Sequence, residues 1–344
     1  LQFCFGMLKN NESVSIDDIT LVKEGTEENL VANGDFAQNA TAGWGSNWQG
    51  PSFKCEKIGS GIPLSDKEKK EVLTTALDKW IAGMMEATEG KVKAWDVVNE
   101  ALSGADTDGD GKYDLQSATR GTALEADIPN SFYWQDYLGD LDYVRTAVAS
   151  ARKHFKENGG NPEDLKLFIN DYNLESDWDQ NGKLKSLIQW IKDWEADDVT
   201  KIDGIGSQMH ISCYANPKTQ ESKKNAIVNM LKLMADSRKL VRISELDMNY
   251  VDETGKSVNT NDMTEEQHKQ MRELYEFVIK KYFEIIPEAQ QWGICQWCPT
   301  DSPANSGWRA GAPTGLWDKD YYRKHTYGGF AAGLGAPEYW NDAK

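Results

Sequence analysis

The sequence predicts an α/β fold of parallel βα units, specifically a (β/α)8 TIM barrel that lacks its first three strands in this chain and follows a short β-rich segment. Three observations carry that expectation. Apolar strand-like runs alternate with helical patterns from about Ile62 onward, and strand–helix repetition of this kind specifies parallel pairing. Five such runs can be counted, whereas a closed barrel takes eight. The chain has 344 residues, enough for one large domain and a smaller piece.

Residues 1–61 read as β-structure. Ser13–Lys23 partly alternates, with Val14, Ile16, Ile19 and Leu21 among polar residues, and a break follows at Gly25–Asn29. The stretch Asn29–Phe36 and then Gly43-Trp44 resembles the start of a β-sandwich carbohydrate-binding module, while Ser15–Val22 resembles the end of one. The order is therefore reversed, and about 60 residues cannot hold a whole sandwich of roughly 100. Residues 1–61 are expected to be remnants of inserted modules. The chain opens inside an apolar segment, Leu1–Leu8, without an initiator Met or signal peptide, which reads as the start of a fragment.

From Ile62 the pattern changes. Ser65 and Glu68 form a capping box after Pro63, and apolar residues from Val72 to Met85 recur with helical period up to Gly90. Strands are expected at Val92–Val98, Leu165–Ile169, Ile202–Ile205, Leu240–Ile243 and Gln291–Trp297. Helices are expected at Tyr143–Phe155, Leu184–Trp194, Lys223–Met234 and Glu265–Phe283.

Charge narrows the function. There are 38 basic and 55 acidic residues, a net of -17, which argues against nucleic-acid or membrane-surface partners because both are polyanionic. No apolar run reaches the roughly 18 residues of a membrane span. The 13 Trp and 13 Tyr suit stacking on sugar rings as well as core packing. Five scattered cysteines give no disulfide framework. Cys295 and Cys298 read as ordinary residues near a strand end, with no His pair to make a zinc site.

Three segments at strand ends carry the chemistry: Trp95–Glu100, Gly204–His210 and Ile243–Asp247. The C-terminal strand ends of a barrel form its active-site face. Two glutamates there, Glu100 and Glu245, are placed to face one another, as glycoside hydrolysis requires. The bland alternative is that both are solvated or cap helices.

The wording of these segments closely resembles glycoside hydrolase family 10, the retaining endo-β-1,4-xylanases. So do Asn170-Asp171-Tyr172-Asn173, and the stretch from Trp297 through Asp301-Ser302 and Trp308 to Leu316-Trp317-Asp318. The resemblance covers Ile62–Leu334 and identifies residues 62–344 with strands 4 to 8 of that family's catalytic barrel. It implies Glu100 as acid/base and Glu245 as nucleophile. It also implies that Asn99 bonds the sugar 2-hydroxyl and that Gln208 sits by the acid/base. His210 would bond the nucleophile, with Asp247 orienting the imidazole. Trp297 and Trp308 would stack on the sugar next to the scissile bond, and Tyr172 would line the same cleft. Asp171 has two readings, cleft residue or loop brace. Carboxylates about 5.5 Å apart divide the labour, since one negative charge raises the other's pKa.

The resemblance implies xylan and xylo-oligosaccharides as partners, no required cofactor, and a secreted, periplasmic or cell-surface location, because xylan is too large to enter a cell. A β-1,4-glucanase on the same scaffold and a non-catalytic xylan-binding fragment remain as alternatives. Asp106, Asp108, Asp110 and Asp114, with Gly111 at the sixth position, match the start of a calcium loop. Ser117 stands where a bidentate Glu belongs, so the alternative is a polar surface insertion. A five-strand open barrel exposes apolar edges, which predicts association with the missing N-terminal segment or another copy of the chain, or low stability alone.

Overall fold

The computed structural model describes residues 18–36 and 64–337. The chain forms two compact units, Leu1–Ser65 and Asp66–Lys344. In the first, Asp18–Phe36 makes a small antiparallel turn. Val22 bridges Asn29, Leu30 N donates to Leu21 O (2.8 Å), and Ile19 N donates to Gly34 O (2.8 Å). The Asn29 side chain ties the turn together, accepting from Leu21 N and Val31 N and donating to Ile19 O. Ser15–Asp17, residues 37–49 and both Cys4 and Cys55 lie outside the described residues.

The second unit opens with α1 (Asp66–Ala87), which starts directly after Ser65 as its capping sequence predicts. Gly90 (φ +63) closes it by donating to Met85 O. There follow β1 (Ala94–Asn99), the single turn α2 (Gln135–Leu138), α3 (Asp142–Glu157), β2 (Lys166–Asp171), α4 (Gly182–Glu195), β3 (Gly204–Ser207), β4 (His210–Tyr214), α5 (Pro217–Asp236), β5 (Leu240–Val251), α6 (Glu265–Ile285), β6 (Gln291–Gln296) and α7 (His325–Gly333). All strand pairs are parallel, in the order β1-β2-β3-β5 with β6 on the far side of β5. This is the βα architecture of a (β/α)8 barrel, opened.

One expectation needs refinement. The third expected strand, Ile202–Ile205, is β3 at Gly204–Ser207, and a further strand that was not expected, β4, follows it; the two run along the beginning and the end of β5. Met209, with left-handed φ +57, breaks the strand between them and re-aims the residues on either side. The short helices α2 and α7 were not expected: α2 is a single turn, and α7 is rich in glycine and small residues, which mask its period.

Burial follows the two-sided cover that parallel sheets require. In β2, Leu167, Phe168 and Ile169 are fully buried. Helix α3 buries Val144, Ala147, Val148, Ala151 and Phe155, one stripe at helical spacing. The edge strands β1 and β6 are only half-buried. Large apolar side chains stand exposed on α1 (Trp80, Met84), just ahead of β1 (Val92), on α6 (Phe283) and on β6 (Trp292).

Candidate active site

Parallel strands bring their C-terminal ends to one face, and the expected residues converge there. β1 ends in Asn99-Glu100, where the chain turns left-handed at Glu100 (φ +56). For a non-glycine residue that costs about 1–3 kcal/mol and persists only where neighbours hold it. Here Glu100 N donates to Asn170 O (2.8 Å) and Gln116 Nε2 donates to Glu100 O (2.7 Å). Glu245 lies in the middle of β5, its N–H bonded to Gln208 O (3.2 Å). A cleft of about 380 Å³ borders Glu100, lined by Asn99, Gln116, Asp127, Phe132 and Trp134 among others.

A continuous chain of amides joins the two carboxylates. Gln208 Nε2 donates to Glu100 Oε1 (2.7 Å) and to Asn99 Oδ1 (3.2 Å). Asn170 Nδ2 donates to the same Asn99 Oδ1 (2.9 Å) and to Glu245 Oε1 (3.0 Å). Each amide spends one N–H on a carboxylate and one on Asn99, so the donors and acceptors balance. With its oxygen held twice, Asn99 keeps its own amide N–H groups for other partners. Ser244 Oγ donates to Asn170 Oδ1 (2.6 Å) and fixes that side chain's orientation. Gly206 makes room for it: a Cβ there would stand 2.3 Å from Asn170 Oδ1.

Behind Glu245 lies a second chain. His210 Nε2 is 3.4 Å from Glu245 Oε2, and its Nδ1 is 2.8 Å from Asp247 Oδ1. Asp247 is fully buried and also accepts from Trp308 Nε1 (2.8 Å). Burial disfavours the charged imidazole, but the hydrogen bonds to Asp247 and Glu245 outweigh it and raise His210 from 6.5 to about 9. Trp308 and Trp297 flank the imidazole, at ring-centre distances of 4.6 and 5.8 Å. Both indoles remain about 40% exposed. Arg309 donates to the His210 and Ile211 carbonyls (2.8 and 2.7 Å) and lies 3.3 Å from Asp247.

Tyr172 follows the end of β2 and is set by its neighbour. Asp171 is fully buried. It accepts from Leu102 N and Tyr172 N and pairs with Lys183 Nζ (2.7 Å). Burial raises its pKa, and the Lys183 charge opposes that rise. Lys183 Nζ also sits 3.4 Å over the Tyr172 ring. The Tyr172 phenol is pushed up to about 12, first by burial and then by the negative charge of Asp171 and Glu100. Of the two readings of Asp171, the geometry favours the brace.

Arg309 is a site residue that the sequence did not point to, and Asn170, read there only as part of a motif, had no role assigned. Asn170 had a signal, its place at a strand end within a recognised motif. Arg309 had none beyond standing next to Trp308.

The acidic loop is separate from this site. Asp106, Asp108 and Asp110 each offer a carboxylate atom within 4.8 Å of the others, and all three are exposed. Asp114 does not join them, because its Oδ2 accepts from Thr107 N (2.8 Å) and Thr107 Oγ1 (2.6 Å). Ser117, at the twelfth position, is buried and donates to Asp136. Cys213, Cys295 and Cys298 are free thiols. No helix among the described residues is long and apolar enough to cross a membrane.

A parallel βα sheet with two glutamates linked at its C-terminal face defines a class, the barrel proteins built around a carboxylate pair. The profile of Glycosyl hydrolase family 10 matches residues 43–332. The chain belongs to that family. It is 28% identical over 282 residues to endo-beta-1,4-xylanase Xyn10C of Cellvibrio japonicus, which covers 80% of this chain but only 39% of that relative. Among solved structures, xylanase B from Clostridium stercorarium F9 superimposes with a TM-score of 0.59 at 22% identity, covering 77% of this chain and 68% of that one. Xylanase10C from Cellvibrio japonicus, solved in complex with xylopentaose, gives 0.55 at 24% identity over 78% of this chain and 49% of that one.

Proposed function

We propose that this chain carries the catalytic half of a retaining endo-β-1,4-xylanase. The amide chain from Glu100 through Gln208, Asn99 and Asn170 to Glu245 carries the reading, because it holds two carboxylates in one fixed relation. Family membership and the xylanase relatives support it. Glu100 protonates the glycosidic oxygen while Glu245 attacks the anomeric carbon and forms a glycosyl ester. The leaving chain departs with the proton from Glu100. Glu100, now a carboxylate, takes a proton from water, and that water displaces Glu245 with net retention. Asn99 donates to the 2-hydroxyl, and His210 with Asp247 steadies the nucleophile. Trp297 and Trp308 stack on the sugar held there, and Tyr172 lines the opposite side. The chemistry consists of two carboxylates and water and needs no cofactor.

Reducing-sugar release from xylan tests this. Glu100→Ala and Glu245→Ala should each lose at least about a hundredfold, and an equally active Glu245→Ala would refute the nucleophile assignment. The glucanase alternative predicts faster turnover of carboxymethyl-cellulose than of xylan. A binding fragment would retain xylo-oligosaccharide affinity with no turnover. The substrate's size supports a secreted, periplasmic or cell-surface site of action, and the net charge of -17 disfavours nucleic acid and membrane.

We also infer that the open sheet is completed by a polypeptide supplying three further βα units, from a preceding segment or another copy, and that residues 1–61 are module remnants inserted at that junction. The half-buried edge strands support the first point, and the module-like words around Asn29–Phe36 support the second. Calcium at Asp106, Asp108 and Asp110 would order the surface loop; a melting temperature indifferent to calcium would exclude it.

A further inference from the structure

Trp178 stands in the loop between β2 and α4, beyond Tyr172 on the face that carries Glu100 and Glu245. Its indole is 68% exposed, and among the described residues it makes no hydrogen bond or ring contact. The backbone beneath it is held from both sides. Asp177 accepts from Lys223 Nζ (2.5 Å) and Ser222 Oγ (2.7 Å), which moors one flank to α5. Asp179 accepts from Ser176 Oγ, Lys183 N (3.1 Å) and Tyr113 OH (3.2 Å), which moors the other flank to α4 and to the acidic loop. Asn181 Nδ2 donates to the Leu174 and Ala226 carbonyls (2.9 and 3.2 Å) and closes the loop's base. A large apolar ring is thus presented to water on a rigid mount, the arrangement that loses least entropy when a flat ligand is laid on it.

Its side of the site indicates the ligand. Glu245 lies with Trp308 and Trp297, on the β5 and β6 side. Glu100 lies at the end of β1, next to β2 and Tyr172. In the reaction proposed above the acid serves the leaving group, so the departing part of the chain runs over the β1–β2 side, where Trp178 stands. We propose that Trp178 is an additional stacking platform for a pentose ring in the leaving-group part of a β-1,4-linked chain, farther out than the ring that Tyr172 lines. The inference rests on the glycanase reading and deepens it. The platform makes the protein prefer longer chains, because a short oligosaccharide that fills the central positions does not reach it.

Calorimetric titration of the whole chain tests this, with Glu245→Ala as background to prevent turnover and with xylotriose and xylohexaose as probes. The background protein should bind xylohexaose about tenfold more tightly than xylotriose. Adding Trp178→Ala should remove most of that gain while leaving xylotriose affinity unchanged, and Trp178→Phe should keep part of it. An unchanged ratio in Trp178→Ala, or no length preference in the background protein, overturns the proposal. If xylan is cleaved and the ratio does not move, the platform alone falls. If neither oligosaccharide binds and xylan is not cleaved, the glycanase reading falls and takes the platform with it.

Discussion

His210 connects the chemistry of the site to pH. Its raised pKa of about 9, against 6.5 in the unfolded chain, means that the folded protein holds a proton the unfolded chain releases earlier. The resulting stabilisation is fully present below pH 6.5 and is lost as pH rises through about 9. The parent chain's melting temperature should therefore fall across that window relative to His210→Gln. The difference should be at least about 2–4 °C, what 1 kcal/mol produces in a large domain. Parallel melting curves across the window would show that the imidazole gains nothing from Asp247 and Glu245. At this scale the sequence identified Glu100, Glu245, Asn99, Gln208, His210 and Asp247 as one cluster, and the structure places all six together. It could not reveal that Asn170 bonds Glu245, because a side chain's hydrogen-bond partners depend on strands far apart in sequence.

Between elements, the ion pair Asp171–Lys183 joins the end of β2 to the first turn of α4. Both side chains are almost wholly buried, so each is tolerable only with the other present. Lys183→Met should destabilise the domain by about 3–5 kcal/mol. Lys183→Met with Asp171→Leu should recover much of that, and urea unfolding of the single and double variants decides it. A double variant no better than the single would mean that the bonds of Asp171 to Leu102 and Tyr172 matter more than its charge. Most strand and helix ends were legible from their period to within about two residues, but β5 runs on from Ile243 to Val251 and α5 starts at Pro217, well before Lys223. The break between β3 and β4 was not legible, since the left-handed residue falls at Met209, a residue type that does not mark turns, and not at Gly204, Gly206 or Ser207. Met209 adopts its left-handed backbone where β3 and β4 must both lie along β5.

For the whole molecule the consequence lies at the sheet edges. β1 and β6 each pair on one side only among the described residues. Backbone N–H groups that face outward on an unpaired edge exchange readily with solvent. Amide exchange should therefore be faster along β1 and β6 than along β2 and β3, and a completing polypeptide of three βα units should slow it. Uniform protection across all these strands would show that both edges are already covered.

By itself, the sequence determined the parallel βα architecture, five of the six strands and the strand-end motifs. These are local properties: hydrophobic period, strand length and the order of short segments. The tertiary structure decided which amide bonds which carboxylate and how the Trp308–Arg309 loop folds back on His210 and Asp247. It also decided that Asp114 leaves the acidic cluster while Asp106, Asp108 and Asp110 converge. The first two depend on contacts between segments far apart in the chain, such as Glu100 with Gln208 and His210 with Arg309, and the third on how the loop closes on itself through Thr107; only folding sets these.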